Sequence, residues 1–265
     1  MERVRIEARG EIAVVTLNRP DQHNGMDMPM VEAVLAAAKS LRRDKSIRAV
    51  ILCGAGPSFC AGLDVKGMFG NKRAAITAFM ALHSPVRNRF QDWSMAWREL
   101  PVPVIAAIHG NCFGAGIQLA LGADLRIATP DSRISIMEAK WGLVPDMGGP
   151  TLLRELIPID RAKELTYTGR ILSGEQALAA GLVTHVHAQP MEQALALAAE
   201  MTVRSPDSVA AAKQLLQTAW HGSERGSLAA ERHWQRKLLG SPNQRIATKR
   251  NVEKTDTPYL PRKIG

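Results

Sequence analysis

The spacing of hydrophobic and polar residues along the first half of the chain is typical of a mixed α/β protein. Residues 5–18 are predicted to form two strands joined by a turn at Arg9-Gly10, and β-branched residues are frequent in the second strand. Over 30–44, apolar residues recur at helical spacing. The continuous apolar runs within 47–56 and 102–110 are typical of strands buried on both faces. These segments predict a core in which strands and helices alternate.

The same alternation continues to about His187. A long helix is predicted over 74–99, and we expect it to end before Pro101. A short apolar helix is predicted after the glycine-rich stretch 110–116, and two short strands are predicted within 124–136. No repeat of fixed period interrupts this order.

The pattern changes at about Met191, after which no strand signal remains. The segments that follow have apolar residues at helical spacing and are separated by short Gly, Ser and Pro breaks. The chain is therefore predicted to have two parts. Residues 1–190 form the β/α core, and residues 191–265 form an all-helical region.

Composition supports a folded protein of a reducing compartment. The chain has 265 residues, of which 46% are hydrophobic, and no window approaches the roughly 18 consecutive apolar residues of a membrane span. Its beginning lacks the pattern of a secretory signal. The cysteines Cys53, Cys60 and Cys112 are odd in number and unevenly spaced, which does not favour a disulfide framework. We expect a cytoplasmic protein that does not bind membranes.

The formal net charge of +9 is compatible with binding to nucleic acid, to an acidic membrane surface or to a phosphorylated small molecule. The basic residues are spread thinly, and no basic helix with interleaved aromatic residues is present among the 5 Phe, 5 Trp and 2 Tyr. A solvated surface explains most of these charges. Nucleic acid is therefore not an expected partner.

Two glycine-rich turns follow buried strands, at 53–66 and at 110–116. The first amides of a helix lack partners within that helix, so a turn that opens a helix can present free N–H groups. Two such groups that converge form an oxyanion hole, to which the helix dipole adds. No Gly-Lys-Ser/Thr follows the second turn, which excludes a phosphate loop. On this pattern alone, two ordinary strand–helix turns remain the simpler alternative.

Four motifs, in this order and at this spacing, resemble the crotonase (enoyl-CoA hydratase/isomerase) superfamily. The resemblance covers about residues 10–190 and implies an α/β fold, a crotonase-type spiral of ββα repeats with a helical C-terminal region. In that family the C-terminal helices join subunits, so the resemblance implies a homotrimer or a hexamer made of two trimers. The motifs are NRPDQHNGM (18–26), SFCAGLDVK (58–66), HGNCFGAGIQLALGADLRIA (109–128) and GLVPDMGG (142–149).

The resemblance also implies an acyl-CoA thioester as the ligand, with no separate cofactor and no metal. Two main-chain amides of the family grip the thioester oxygen, and the matching positions here are Leu63 and Ala115. The family often has glycine at the second position, and Ala115 still offers its N–H. Arg19 or Lys66 could lie near the CoA phosphates. The positions that match the family's CoA and substrate contacts, which are largely main-chain, are Asn24, Gly25, Met26, Ala61, Gly62, Asp64 and Gly114.

Proton chemistry is implied by a third set of positions. Hydratases of the family carry two glutamates, which match Gln118 and Glu138 here. Gln118 does not titrate in the relevant range and can only hold a water or the acyl chain by hydrogen bonds. Asp146 lies eight residues beyond Glu138, a spacing that resembles dienoyl-CoA isomerases, although those enzymes usually have aspartate in place of Gln118. The predicted catalytic set is therefore Glu138 and Asp146 as proton-transfer groups with Gln118 beside them, and the predicted reaction is isomerisation of an enoyl- or dienoyl-CoA.

Other interpretations stay open at this point. The chain could be an enoyl-CoA hydratase, or a non-catalytic relative that binds acyl-CoA or RNA. Asp146 could merely cap a helix that starts near Gly148. His109 and Cys112 could suggest a thiol nucleophile, but they straddle a turn and do not share one helical face.

Overall fold

The computed structural model describes residues 2–64, 76 and 79–265. The two strands expected in 5–18 are confirmed, as are those expected in 47–56, 102–110 and 124–136. The strands in the described residues are β1 (Val4–Arg9), β2 (Ile12–Leu17), β3 (Ala49–Gly54), β4 (Val104–Ile108), β5 (Asn111–Phe113), β6 (Leu125–Ala128), β7 (Arg133–Ser135) and β8 (His185–Val186).

Helices fill the intervals between the strands and the whole C-terminal region. The first begins where Asp27 accepts a hydrogen bond from the amide of Met30, which caps the helix. The helices of the described residues are α1 (Met28–Arg43), α2 (Arg89–Arg98), α3 (Ala115–Leu121), α4 (Gly149–Leu153), α5 (Ile159–Thr168), α6 (Gly174–Ala179), α7 (Pro190–Thr202), α8 (Pro206–Ala219), α9 (Glu224–Leu238) and α10 (Pro242–Glu253), with 3₁₀ turns at Pro20–Gln22 and Glu138–Trp141.

One sheet of order β1-β2-β3-β4-β6-β8 organises the molecule. The hairpin β1–β2 is antiparallel, and each later neighbour is parallel, as in the pairing of Val14 with Ile51. A second ladder pairs β5 with β7 and is continued by a bridge between Cys60 and Cys112. The structure thus confirms the α/β class, and the short ladder lies at the ends of β3 and β4, where the glycine-rich turns begin.

The long helix predicted over 74–99 is wrong. Residues 79–81 are helical, but the chain then turns, and α2 begins only at Arg89. Pro85 lies in the break, and Asn88 caps the new helix in a reciprocal arrangement with Gln91. The start of the predicted helix falls largely outside the described residues.

Both faces of the sheet are covered. The larger core contains Trp93, Trp97 and Phe59, which are completely buried. On the other face, Ala194 and Ala198 of α7 pack against the sheet. Helix α7 belongs by sequence to the predicted helical region, but it packs on the sheet of the core. The division of the chain at residue 190 stays a prediction.

The last helices are held to the core by buried polar groups. Lys213 of α8 donates to the carbonyl of Val102 at 2.9 Å and to Asp124 at 2.8 Å. Asp207 accepts from Asn243 and from the amides of Lys263 and Ile264, so it fixes the C-terminal tail. Helix α10 lies within the region predicted to be all-helical, and Asn243 is its only buried residue. No helix in the described ranges is both long and apolar enough to cross a membrane.

Candidate active site

The two glycine-rich turns lie side by side. The amide of Phe59 donates to the carbonyl of His109 at 2.8 Å, and the amide of Cys60 donates to the carbonyl of Asn111 at 3.0 Å. In the other direction, the amide of Phe113 donates to the carbonyl of Cys60 at 3.0 Å. This ladder ties the chain that leaves β3 to the chain that leaves β4. Two loops distant in sequence therefore share one surface.

Glycine is required at two points where these loops meet. Gly62 has a φ of +94°, and a β-carbon there would lie 2.8 Å from the carbonyl oxygen of Phe113 and 3.7 Å from the amide nitrogen of Ala115. A β-carbon on Gly116 would lie 2.2 Å from the carbonyl oxygen of Cys60. The start of α3 is therefore pressed directly against the 60–62 backbone.

Two neighbouring amides at this contact lack acceptors. The carbonyl of Gly62 and the amide of Asp64 bond to the backbone of Met26 at 2.8 and 3.0 Å, and the amide of Leu63 between them has no partner in the described residues. Ala115 is the first residue of α3, and its amide is likewise without a partner in that part of the chain. Free N–H groups at a helix start can stabilise an anionic oxygen.

A carboxyl group lies beside the second amide. Glu138 opens the 3₁₀ turn after β7 and is 8% exposed. A β-carbon on Gly114 would lie 3.5 Å from its Oε1 atom, which is an ordinary van der Waals distance, so Gly114 lies close to that oxygen. Its Oε2 atom is buried and has no hydrogen-bond partner among the described residues.

Gln118 links this carboxyl group to another loop. Its side chain is 1% exposed, and its Nε2 atom donates to Oε1 of Glu138 at 2.6 Å. Its Oε1 atom accepts from the amides of Met147 and Gly149 at 2.9 and 3.1 Å. Gln118 was expected to hold a water or the acyl chain, and the structure corrects this: its amide joins Glu138 to the 147–149 turn.

Asp146 stands at the rim of the same site, where its side chain is exposed. It makes no cap, because α4 is preceded by Gly148 and receives no side-chain cap bond. Loss of water around the group still raises the pKa of Asp146. The alternative that Asp146 caps this helix is therefore wrong.

The pKa of Glu138 is raised above its ordinary value, chiefly because burial disfavours the charged form. The negative charge of Asp146 raises it further, while the hydrogen bond from Gln118 lowers it. Desolvation and a like-charged neighbour are features of carboxyl groups that exchange protons near neutral pH.

The segment predicted to contact CoA is partly committed to the protein itself. The side chain of Asn24 is fully buried and bonds to the backbone of Arg19, Ala55 and Ser58. Met26 is 2% exposed. The side chains of Asn24 and Met26 therefore shape the loop from inside, and the expected CoA contacts of these two residues, which are largely main-chain, stay predictions. The remaining positions, which are Gly25, Ala61, Gly62, Asp64 and Gly114, also stay predictions.

Arg19 and Lys66 are the two basic residues expected near the CoA phosphates, and the structure describes the first of them. Arg19 donates to Asp64 at 2.7 Å and to the carbonyl of Gly25 at 3.1 Å, and it lies 3.7 Å from Asp27. Its charge is therefore already balanced within the loop. Lys66 lies outside the described residues.

The thiol alternative has no support. Cys112 is completely buried, and burial raises its pKa well above that of a free thiol. The His109 ring contacts the carbonyl of Gly56 at 2.9 Å. A thiolate at this position is therefore disfavoured. Within the described ranges, no three His, Cys, Asp or Glu side chains come together as metal ligands.

Helix α2 supports the site in a way that the sequence analysis missed. Trp93 donates through Nε1 to the carbonyl of Ala115 at 2.8 Å, and Ser94 donates through its hydroxyl to the carbonyl of Met147. One helix thereby fixes both the start of α3 and the turn held by Gln118. The sequence alone does not reveal this role of Trp93, since its partner is a backbone atom distant along the chain.

Comparison with known proteins agrees with this geometry. The family model described as enoyl-CoA hydratase/isomerase matches residues 7–261. Mouse mitochondrial methylglutaconyl-CoA hydratase is 34% identical over 214 residues, which are 78% of this chain and 66% of that protein. Human mitochondrial Δ(3,5)-Δ(2,4)-dienoyl-CoA isomerase is 31% identical over 243 residues, which are 88% of this chain and 73% of that protein.

The fold of a solved relative matches as well. The crystal structure of an enoyl-CoA hydratase from Bacillus anthracis superimposes with a TM-score of 0.89 at 28% identity and covers 97% of this chain and 98% of that chain. The chain therefore belongs to the enoyl-CoA hydratase/isomerase family, as the four motifs indicated. Both hydratases and an isomerase are among its relatives, so similarity alone does not select the reaction.

Proposed function

We propose that this member of the enoyl-CoA hydratase/isomerase family moves a double bond along the acyl chain of an enoyl- or dienoyl-CoA. The observation that carries the proposal is the pair formed by Glu138 and Gln118. One deep carboxyl group has a neighbour that cannot titrate, and a second carboxyl group, Asp146, stands at the rim.

The first step uses Glu138 as a base. Its carboxylate removes a proton from a carbon made acidic by conjugation with the thioester, and the electron pair moves to the thioester oxygen as an enolate. The amides of Leu63 and Ala115 would stabilise that negative oxygen, since they have no other acceptor in the described residues. Each such donor typically contributes roughly 2.7–4 kcal/mol to a transition state.

The second step returns a proton to a carbon further along the chain. Asp146, which is exposed and can take up a proton from solvent, supplies this proton, the enolate collapses, and the double bond ends in a new position with no change in composition. In a dienoyl substrate the two carboxyl groups would act at opposite ends of the conjugated system.

Hydration is the competing reaction, and several relatives are named as hydratases. Addition of water by the family's two-glutamate arrangement needs a second titratable group at position 118. Gln118 cannot take or give a proton there, and its oxygen already accepts two backbone bonds. These facts favour isomerisation.

The test is to incubate the purified protein with trans-2-, cis-3- and 3,5-unsaturated acyl-CoAs of several lengths. Products are followed by mass and by ultraviolet absorbance. Isomerisation leaves the mass unchanged and shifts the chromophore, and Glu138→Gln abolishes it. Addition of one water mass by the unaltered protein as the main reaction would refute the proposal.

The family resemblance also leads us to propose a homotrimer or a dimer of trimers in the cytoplasm, with the acyl-CoA as the only small-molecule requirement. Light scattering of the purified protein would test the assembly.

A further inference from the structure

We infer that Gln118 is a positioning residue that holds Glu138 by Oε1 and so makes Oε2 the oxygen that exchanges the substrate proton. This inference rests on the proposed function, because it concerns how the same carboxyl group is prepared for proton transfer. An uncharged side chain, that of Gln118, thereby determines which oxygen of Glu138 takes part in proton transfer.

The orientation of the Gln118 amide is fixed by its surroundings. Its oxygen faces two N–H donors, Met147 at 2.9 Å and Gly149 at 3.1 Å, and therefore must be the acceptor end. Its nitrogen must then face Glu138, to which it donates at 2.6 Å. A donor at this distance pairs with an ionised oxygen better than with a protonated one.

The two oxygens of Glu138 thereby become unequal. Oε1 is occupied by Gln118 and lies next to Gly114. Oε2 is buried without a partner among the described residues. A buried carboxylate oxygen without a partner costs free energy in the resting protein, and a substrate proton would supply the missing partner.

The backbone around Gln118 is built for this contact. A β-carbon on Gly149 would lie 2.7 Å from the Oε1 atom of Gln118, so position 149 must lack a side chain for the bond to form. The same turn carries Asp146 to the rim. Gln118 thus sets both the orientation of Glu138 and the place of the second carboxyl group.

Few charged groups face Glu138. Asp146 acts on it from the 142–148 loop, and its charge raises the pKa of Glu138. Lys140 is on the same 3₁₀ turn, where its Cγ atom would lie 3.5 Å from a β-carbon on Gly169. Helix α3 brings Gln118 and carries no ionisable side chain. A substitution at 118 should therefore register directly in the titration of Glu138.

The experiment compares Gln118→Glu with Gln118→Met. The glutamate can still accept both backbone bonds but faces Glu138 with an oxygen, so two carboxyl groups must share a proton. The methionine keeps the volume and loses every hydrogen bond. Gln235→Glu, at an exposed position of α9, adds the same charge at a residue that takes no part in the hydrogen bonds of Gln118 and Glu138, and it serves as the control.

Two readouts are taken for each protein: the pH profile of kcat/KM and the titration of the Glu138 carboxyl by ¹³C NMR, assigned with Glu138→Gln. Because Glu138 acts as a base, activity is present above its pKa and lost below it. In Gln118→Glu both the acid limb and the NMR titration should move up by about one pH unit or more, with KM unchanged. Gln118→Met should also shift both upward and, because the 147–149 turn is released, raise KM. The Gln235→Glu control should match the unaltered protein.

A loss of activity by the same factor at every pH, with the Glu138 titration unmoved in folded Gln118→Glu protein, would overturn the inference. The NMR titration does not depend on turnover. If no acyl-CoA is isomerised while the titration shifts as expected, the proposed reaction fails and the positioning role of Gln118 stands.

Discussion

The amide nitrogen of Ala115 lies 3.7 Å from the point that a β-carbon on Gly62 would occupy. The two residues belong to different turns, one after β3 and the other after β4. Gly62 precedes Leu63, and the amides of Leu63 and Ala115 are both without a partner in the described residues. The site therefore depends on a close contact between the backbones of these two turns. A side chain added at Gly62 would disturb this contact.

Ala115→Pro should lower kcat by about 10²–10³-fold, because it removes one of the two N–H donors proposed to stabilise the enolate oxygen. Ala115 is the first residue of α3, where proline fits the helix and no intrahelical bond is lost. The measurement is kcat and KM with the isomerised substrate, together with circular dichroism. Ala115→Gly, which retains the N–H, should keep most of the activity. A proline variant as active as the glycine variant would argue against this donor.

Gly62→Ala should destabilise the protein and reduce kcat. The φ of +94° costs alanine about 1–2 kcal/mol, and the contact at 2.8 Å with Phe113 adds about 1–3 kcal/mol of overpacking. The matched control is Gly10→Ala, since Gly10 has a φ of +62° but no atom within 4 Å of its β-carbon position. Chemical denaturation should show the smaller loss for Gly10→Ala, which should leave kcat unchanged. Equal losses in both variants would show that the loop contact is not tight.

Asp146→Asn should lower the rate of isomerisation by about 10²-fold while the first proton transfer continues. Glu138 remains in place in this variant, so substrate protons should still exchange with deuterated water. Mass spectrometry of recovered substrate measures this exchange, and absorbance measures the product. Loss of exchange and product together would assign Asp146 to the first step or to binding. Asp131→Asn on the exposed surface is a suitable control.

Glu138→Gln should be more stable than the unaltered protein at neutral pH, and the difference should shrink in acid. Burial raises the folded-state pKa of Glu138 above the unfolded value of about 4.3. Its contribution to stability is therefore complete below the unfolded pKa and is lost as the pH rises through the folded pKa, by about 1.4 kcal/mol for each unit between the two values. Thermal unfolding of both proteins from about pH 4 to pH 8 measures this. A difference in Tm that does not change with pH would contradict the raised pKa.

Much of the fold was predictable because its signals are local. The apolar runs that became β3 and β4 are bounded by glycine-rich turns, and both predictions hold. The helix expected over 74–99 failed because its apolar content masked the break at Pro85 and the cap at Asn88. The bounds of α10 carry no apolar signal, because the helix buries only Asn243.

The site was predictable as a set of positions and not as a set of contacts. The motifs placed Glu138 and Gln118 in one region, but the bond between them spans 20 positions and depends on how β7 meets α3. The burial of Asn24 was also hidden, because its side-chain amide donates to carbonyls more than 30 positions away. Such long-range pairings carry no periodic signal that a single sequence could reveal.

The carbonyl of Cys60 leaves no space for even a methyl group on Gly116. Position 116 therefore tolerates no larger residue unless the start of α3 moves away from the 60–62 backbone, and mutation has little freedom to change this part of the site. By contrast, Trp141, Leu143 and Val144, which follow Glu138 in the chain, are 63%, 50% and 71% exposed, so we expect substitutions that change acyl preference to arise in this segment. The molecule thus combines a tightly packed backbone at the start of α3 with an exposed segment, 141–144, whose side chains are free to vary.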